Sequence, residues 1–171
     1  MKTGRWLPIV CFLMVATTAM AEKIGVYSDA TGASCNLGPA GQLNPNATVM
    51  HLFSTGATGS RFKVVFPAGT AFFAFNTTYV PIGALNTDLS LAYGGCVAGA
   101  IILGTITAIY GAGEGHVTAA DLQPSIIYTN CVFAELPIVG ERFYVGVDGF
   151  PCNAIPVAPS TWGKVKSLYR D

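Results

Sequence analysis

Glycine and proline interrupt this chain so often that no stretch sustains a long helical repeat. Twenty glycines and ten prolines are spread through 171 residues. Between them lie short runs rich in Val, Ile, Thr, Tyr and Phe, the residue types that suit a pleated, half-buried surface. A sequence punctuated in this way folds as strands joined by turns. Charged residues make up only 11% of it and the mean hydropathy is +0.51, so those strands carry large apolar faces that must be covered.

The runs fall in a regular order. Residues 23–28 alternate as a first strand, and Asp29-Ala30-Thr31-Gly32 supplies a turn. Residues 48–54 and 61–66 read as a strand pair joined by a turn at 56–60, with Arg61 and Lys63 on one face and Phe62, Val64 and Phe66 on the other. Residues 72–75, 78–82 and 89–93 are shorter candidates, the last ending at Gly94-Gly95. The apolar run 97–110 follows, then a turn over 111–115, a polar-edged segment from Val117, and two strands at 125–133 and 142–147. About eight short strands at this spacing predict an all-β fold, an antiparallel β-sandwich of immunoglobulin-like architecture. It occupies residues 22–159, and a short amphipathic segment closes the chain at 160–171.

Residues 97–113 carry no charge. A membrane-spanning helix needs about 20 apolar residues; this run is shorter, holds Gly99, Gly104 and Gly111, and is rich in β-branched side chains. It is read as a buried central strand.

The first 21 residues have another character. Lys2 and Arg5 precede an apolar core from Trp6 to Ala16, and Ala19-Met20-Ala21 provides a small-x-small site, the three-part layout of a secretory signal peptide. Cys11 lies within the apolar core and lacks the small preceding residue of a lipidation site. Cleavage after Ala21 leaves a chain that starts at Glu22, with seven Lys and Arg against nine Asp and Glu. That mild negative balance argues against a nucleic-acid partner, which calls for clustered basic charge. Export also places the protein outside the cell or in a periplasm, where disulfides persist.

Cys35, Cys96, Cys131 and Cys152 are therefore read as two disulfides. Their spacing contains no Cys-x-x-Cys or His-x-x-x-His pattern, and no metal or cofactor is expected. Four cysteines allow three pairings. The most local arrangement joins Cys131 to Cys152 across the last two strands and leaves Cys35 to Cys96.

Catalytic chemistry has few starting points. His51 and His116 are the only histidines, and there is neither a Gly-x-Ser-x-Gly elbow nor a His-Glu-x-x-His helix around them. His51, between Met50 and Leu52, reads as an outward-facing or hydrogen-bonded strand residue. His116, after a Gly-rich turn, reads as solvent-exposed. Asp29 and Asp148 stand in turns, and Glu114, Asp121, Glu135 and Glu141 are scattered singly, so no glycosidase pair can be nominated. Asn46-Ala47-Thr48 and Asn76-Thr77-Thr78 are glycosylation sequons, relevant only in a glycosylating host. No catalytic residue is assigned; a hydrolase would have to recruit His51 or His116. Tyr79, Tyr93 and Phe150 are candidates for a contact patch, and a carbohydrate-binding module would require two or three such aromatics exposed in one plane.

The C-terminal segment is locally distinctive. After Pro156 and Pro159, Ser160 or Thr161 can cap a short helical turn that sets Trp162, Val165 and Leu168 or Tyr169 on one face. Lys164, Lys166 and Arg170 lie near its end, where cations suit the helix dipole. Trp162, Lys164, Lys166 and Tyr169 are candidate partner-binding residues.

Gly25, Tyr27, Asp29 and Cys35 at the start, Gly94-Gly95-Cys96 in the middle, Asn130-Cys131, and the closing Thr161-Trp162-Gly163-x-Val165-Lys166-x-Leu168-Tyr169-Arg170 form a pattern. It resembles a family of small secreted bacterial proteins with no established activity. The resemblance implies an exported bacterial β-sandwich and transfers no site residue. Together these readings favour a secreted or periplasmic, non-enzymatic binding or scaffold domain, with a cell-surface or extracellular protein or glycan as partner.

Overall fold

The structure, a computed structural model, describes residues 21–147 and Cys152. The signal-peptide core, Phe150 and the segment 160–171 with Trp162, Lys164, Lys166 and Tyr169 lie outside the described residues. Within them are nine strands and no helix: β1 Lys23–Tyr27, β2 Leu43–Val65, β3 Ala71–Asn76, β4 Val80–Ala84, β5 Asp88–Ile109, β6 Gly113–Thr118, β7 Ile126–Asn130, β8 Glu135–Gly140 and β9 Arg142–Val145. The fold is the expected all-β, immunoglobulin-like sandwich.

Two strands of unusual length organise it. β2 and β5 run antiparallel from the Leu43–Ile109 pair to the Phe62–Leu89 pair. The other side of β2 takes β1 against 48–52, then β7 against 57–61, and finally β6 against 63–65. The outer side of β5 takes β3 against 105–109 and β4 against 88–92. β8 joins β7 antiparallel and β1 parallel, and β9 extends β6.

The length of these strands corrects the sequence reading at two places. The turn expected at 56–60 is absent, because Ala57, Gly59, Ser60 and Arg61 are paired with β5 on one side and β7 on the other. Gly56 and Gly59 lie instead among bulges, where an antiparallel ladder absorbs extra residues without reversing direction. The break expected at Gly94-Gly95 is likewise an irregularity inside β5, where pairing to β2 passes from Ala92 to Val97. Gly-rich runs mark both reversals and bulges, and here a partner on each side decides for the bulge. The run 97–110 is central in the sheet as expected, but from Ile101 onward its side chains alternate, with Ile101, Leu103, Ile106, Ala108 and Tyr110 buried and Ile102 exposed. It is therefore covered on one face only. β8, interrupted by Pro137, lacks a strong alternating pattern and was not anticipated by residue type.

The core draws Ile24 and Val26 from β1, Val49, Met50, Phe62 and Val64 from β2, Leu89, Leu91, Ile101, Leu103 and Ile106 from β5, and Phe143 and Val145 from β9. Phe66, Tyr110 and Phe143 close one end, their ring centroids 6.1 to 6.5 Å apart. β4 is exposed along its whole length and carries Pro81, the kind of residue an edge strand tolerates because its outward amide needs no ladder partner.

Cys35, Cys96, Cys131 and Cys152 all form disulfides, but in a different one of the three arrangements. Cys35 pairs with Cys152 and Cys96 with Cys131, with Cα–Cα distances of 5.4 and 5.3 Å. The expected Cys131–Cys152 pair fails because β9 does not lie beside β7. β9 joins β6, and the 35–37 loop runs alongside it: the Tyr144 N–H donates to the Cys35 carbonyl and the Leu37 N–H to the Tyr144 carbonyl, each at 2.8 Å. That contact delivers Cys35 to the chain leaving β9. Cys131, at the tip of the β7–β8 hairpin, meets Cys96 in the bulged part of β5 instead.

Non-reducing peptide mapping should therefore link Cys35 with Cys152 and Cys96 with Cys131. Removing the first bridge as a Ser pair should cost about 5 kcal/mol and the second about 4 kcal/mol, by the chain-entropy relation for loops of these lengths. A Cys131–Cys152 linkage would contradict the placement of β9.

Candidate functional site

Among the described residues two that are not glycine hold left-handed backbone conformations, and both are exposed phenylalanines: Phe53 at φ 59° and Phe133 at φ 62°. Such a conformation costs a non-glycine residue on the order of 1–2 kcal/mol and persists where surrounding structure enforces it. At Phe133 the enforcement is visible. Asn130 ends β7, and its side-chain Oδ1 accepts the N–H groups of Val132 at 3.0 Å and Ala134 at 2.9 Å. Its backbone N–H donates to the Ala134 carbonyl at 2.9 Å, while Phe133 N–H donates to the Asn130 carbonyl at 3.0 Å. Cys131, inside the same turn, is bonded to Cys96.

The consequence is a rigid tip that turns apolar side chains outward. Val132 and Phe133 are each 79% exposed. Beside them a hollow of about 410 Å³ is lined by Thr58, Gly94, Gly95, Cys96, Cys131 and Phe133, with no charged side chain among them. Phe53 lies in the β2 bulge between His51 and Ser54, with the Lys23 ammonium 5.4 Å from the centre of its ring.

A second concavity, of about 310 Å³, lies across β4, β5, β2 and β7. Ile82, Ser90, Arg61 and Ile127 stand opposite one another in adjacent strands there. Arg61 makes a forked pair with Asp88, its Nε at 2.8 Å from one carboxylate oxygen and its NH2 group on the other. That hydrogen bonding holds the Asp88 carboxyl below its ordinary range. The guanidinium is thus already engaged by the protein's own carboxylate.

The histidines resolve differently. His51 is fully buried, its Nδ1 3.4 Å from the Tyr93 hydroxyl, which donates to Ser60 Oγ at 2.8 Å. Its Nε2 lies 3.4 Å from a Glu22 carboxylate oxygen, a contact longer than a well-formed hydrogen bond. The other oxygen of Glu22 accepts the Thr55 N–H at 2.5 Å and hydroxyl at 2.6 Å. Burial pushes the Glu22 carboxyl up, and hydrogen bonds from Thr55 and Tyr128 together with the nearby His51 outweigh it, so the net shift is downward. Burial pushes the His51 imidazole down, against the opposing pull of Glu22. Serine, tyrosine, histidine and glutamate thus line up, but His51 has no exposed surface and Ser60 is 5% exposed, so a substrate cannot approach the imidazole. His116 is half-buried on β6 opposite Val65 and Arg142 rather than freely exposed.

The aromatic patch expected from Tyr79 and Tyr93 does not form. Tyr93 is a core residue, and Tyr79 packs on it with ring centroids 5.0 Å apart. None of the six described tyrosines is exposed, so they offer no flat platform for a sugar. Among the described residues the exposed aromatics are Phe53, Phe72, Phe73 and Phe133, which residue-by-residue reading missed. For Phe133 a signal was present: Asn130 followed by a short uncharged run is the start of a side-chain-capped turn. Among the described residues no group of His, Cys, Asp and Glu could hold a metal ion.

No protein-family model matches the chain, and no curated protein does. Among solved structures it is similar to a non-cellulosomal cohesin from the hyperthermophilic archaeon Archaeoglobus fulgidus, with a TM-score of 0.52 and 9% identity. The likeness covers 74% of this chain and 91% of that one. At that identity it is a likeness of fold, and it agrees with the sandwich described above.

The buried imidazole makes stability depend on pH in one direction. Its folded-state pKa is depressed, so the unfolded chain binds a proton that the folded chain refuses, and stability falls as pH drops below about 6.5. Denaturant midpoints should decline between pH 7.5 and 5.5 in the wild type and decline less in His51→Gln. Equal slopes in the two proteins would show that His51 does not report on the core.

Proposed function

We propose that this chain is an exported, non-enzymatic binding domain that engages a protein partner through the Val132 and Phe133 tip. The observation that carries the reading is the outward-facing Phe133 in a left-handed conformation, held by Asn130 and by the Cys96–Cys131 bridge. Strain of this kind is retained where a side chain must point in a set direction, and exposing a rigid aromatic is how binding surfaces gain contact area with little loss of entropy. The uncharged hollow beside it suits a partner whose contact surface is apolar and offers a pocket for one ring.

Several features support the rest of the reading. The signal-peptide layout at residues 1–21 and the two disulfides fit an extracellular or periplasmic location. The closest chemical approach to a catalytic array, around His51, is sealed in the core. The similarity of fold to a cohesin is compatible with a scaffold role, and the resemblance to small secreted bacterial proteins supports a role at a bacterial cell surface.

Phe133→Gly should shift folding stability by less than about 1 kcal/mol, since relief of the left-handed strain offsets the added freedom of the unfolded chain. The same change, and Val132→Ser, should lower retention of the labelled mature domain on its source cells or their secreted fraction by at least about tenfold, the loss typical of a central apolar anchor. Unchanged retention in both variants would overturn the proposal, as would a stability loss large enough to make Phe133 a packing residue.

A further inference from the structure

Away from that tip, the base of β1 holds a cluster of three polar side chains, of which Tyr27 and Glu141 are fully buried and Lys23 partly so. Glu141 sits between β8 and β9 with no exposed surface. Its backbone N–H donates to the Ile24 carbonyl at 2.8 Å, and its own carbonyl accepts Val117 N–H at 2.9 Å. Lys23 Nζ lies 2.6 Å from Oε1, and the Tyr27 hydroxyl donates to Oε2. Gly25 makes room for the carboxyl: a Cβ there would fall 2.8 Å from Oε2 and 2.6 Å from the Tyr27 oxygen. Lys23 and Glu141 are 118 residues apart in sequence and face nothing else in this pocket that is charged among the described contacts.

A buried ammonium–carboxylate pair gains little over well-packed apolar side chains, because desolvating two charges offsets their attraction. Burial also pushes the Glu141 carboxyl up despite the adjacent lysine, towards its neutral acid form. Were one proton to pass from Nζ to the Oε1 it touches, both charges would be removed and a primary amine would stand against a carboxylic acid. Those are the two reagents of an amide bond, held in register by the β1–β8–β9 backbone contacts with most bulk water excluded.

We propose that Lys23 and Glu141 condense to form an intramolecular isopeptide bond. The neutral Nζ attacks Cδ of Glu141, forming the N–C bond. Oε1, which took the ammonium proton, receives a second proton from Nζ and leaves as water as the C–Oε1 bond breaks, while Oε2 becomes the amide carbonyl oxygen and keeps its hydrogen bond from Tyr27. The sum is one amine and one acid giving one secondary amide and one water, with no oxidant, reductant or cofactor. Lys23, whose side chain is 20% exposed, gives the water a way out. The product ties the first strand covalently to the junction of the last two, a staple that reducing agents do not open.

Intact mass spectrometry of the exported, non-reduced protein reads this directly. The expected mass lies about 18 Da below that of the processed, disulfide-bonded sequence, one water lost, and a tryptic map should contain a branched species joining the peptides of Lys23 and Glu141. Lys23→Arg keeps the cation but cannot form the bond, and should show the full mass. Cyclisation of an N-terminal Glu22 also loses one water, but it would persist in Lys23→Arg. A wild-type protein at full mass overturns the proposal, and so does a deficit that survives Lys23→Arg.

Discussion

The antiparallel pairing of β2 with β5 is the contact on which the rest of the molecule depends. Every other strand except β8 and β9 hydrogen-bonds to one or other of these two. The pair also contributes the largest share of the core, through Val49, Met50, Phe62 and Val64 on one strand and Leu89, Leu91, Ile101, Leu103 and Ile106 on the other. A ladder this long cannot stay straight, because strand twist accumulates along it. The bulges around Ser54, Ala57 and Gly59 let β2 bend, so that it faces β1, then β7, then β6 along its length. One strand thereby serves three neighbours, and the sandwich closes around it.

The bulges also locate the sites of interest. Phe53 takes its left-handed conformation where the β2 register shifts, and Cys96 reaches Cys131 from the irregular stretch of β5 that Gly94 and Gly95 permit. The exposed tip at 130–134 is thus anchored to the spine by a covalent bond and not merely by its own turn. His51 sits in the same region and is buried on the inner face of β2, its ring packed near Tyr93 and Tyr128. Near the spine Tyr93 donates to Ser60 and Glu22 accepts from Thr55, while His51 Nε2 and the second Glu22 oxygen face each other at 3.4 Å without a well-formed hydrogen bond.

Much of the architecture was legible from residue order. β-branched and aromatic runs separated by Gly and Pro led to the sandwich, and the apolar stretch at 97–110 to a central strand. What escaped was long-range. Gly56 to Ser60 has the composition of a turn, and only the presence of partners on both sides makes it a bulge. The disulfide pairing followed the same logic: Cys131 and Cys152 are near in sequence, but the 35–37 loop lies along β9 by backbone hydrogen bonds that carry no side-chain signature. Tyr93 is named as a contact aromatic from sequence, whereas in the fold its hydroxyl reaches Ser60 and its ring packs on Tyr79, which buries it. Lys23 and Glu141 are unremarkable singly, and only the fold brings them to 2.6 Å.

Native-state hydrogen exchange tests the central role of the β2–β5 pair most directly. Amides of 49–52 and 101–106 should be the slowest in the protein and exchange only through global unfolding, with β3 and β4 amides faster by about a hundredfold or more, as expected of edge strands that open locally. If the β2 and β5 amides instead exchange by local opening while β6 and β9 remain protected, the long pair is not the spine of this fold.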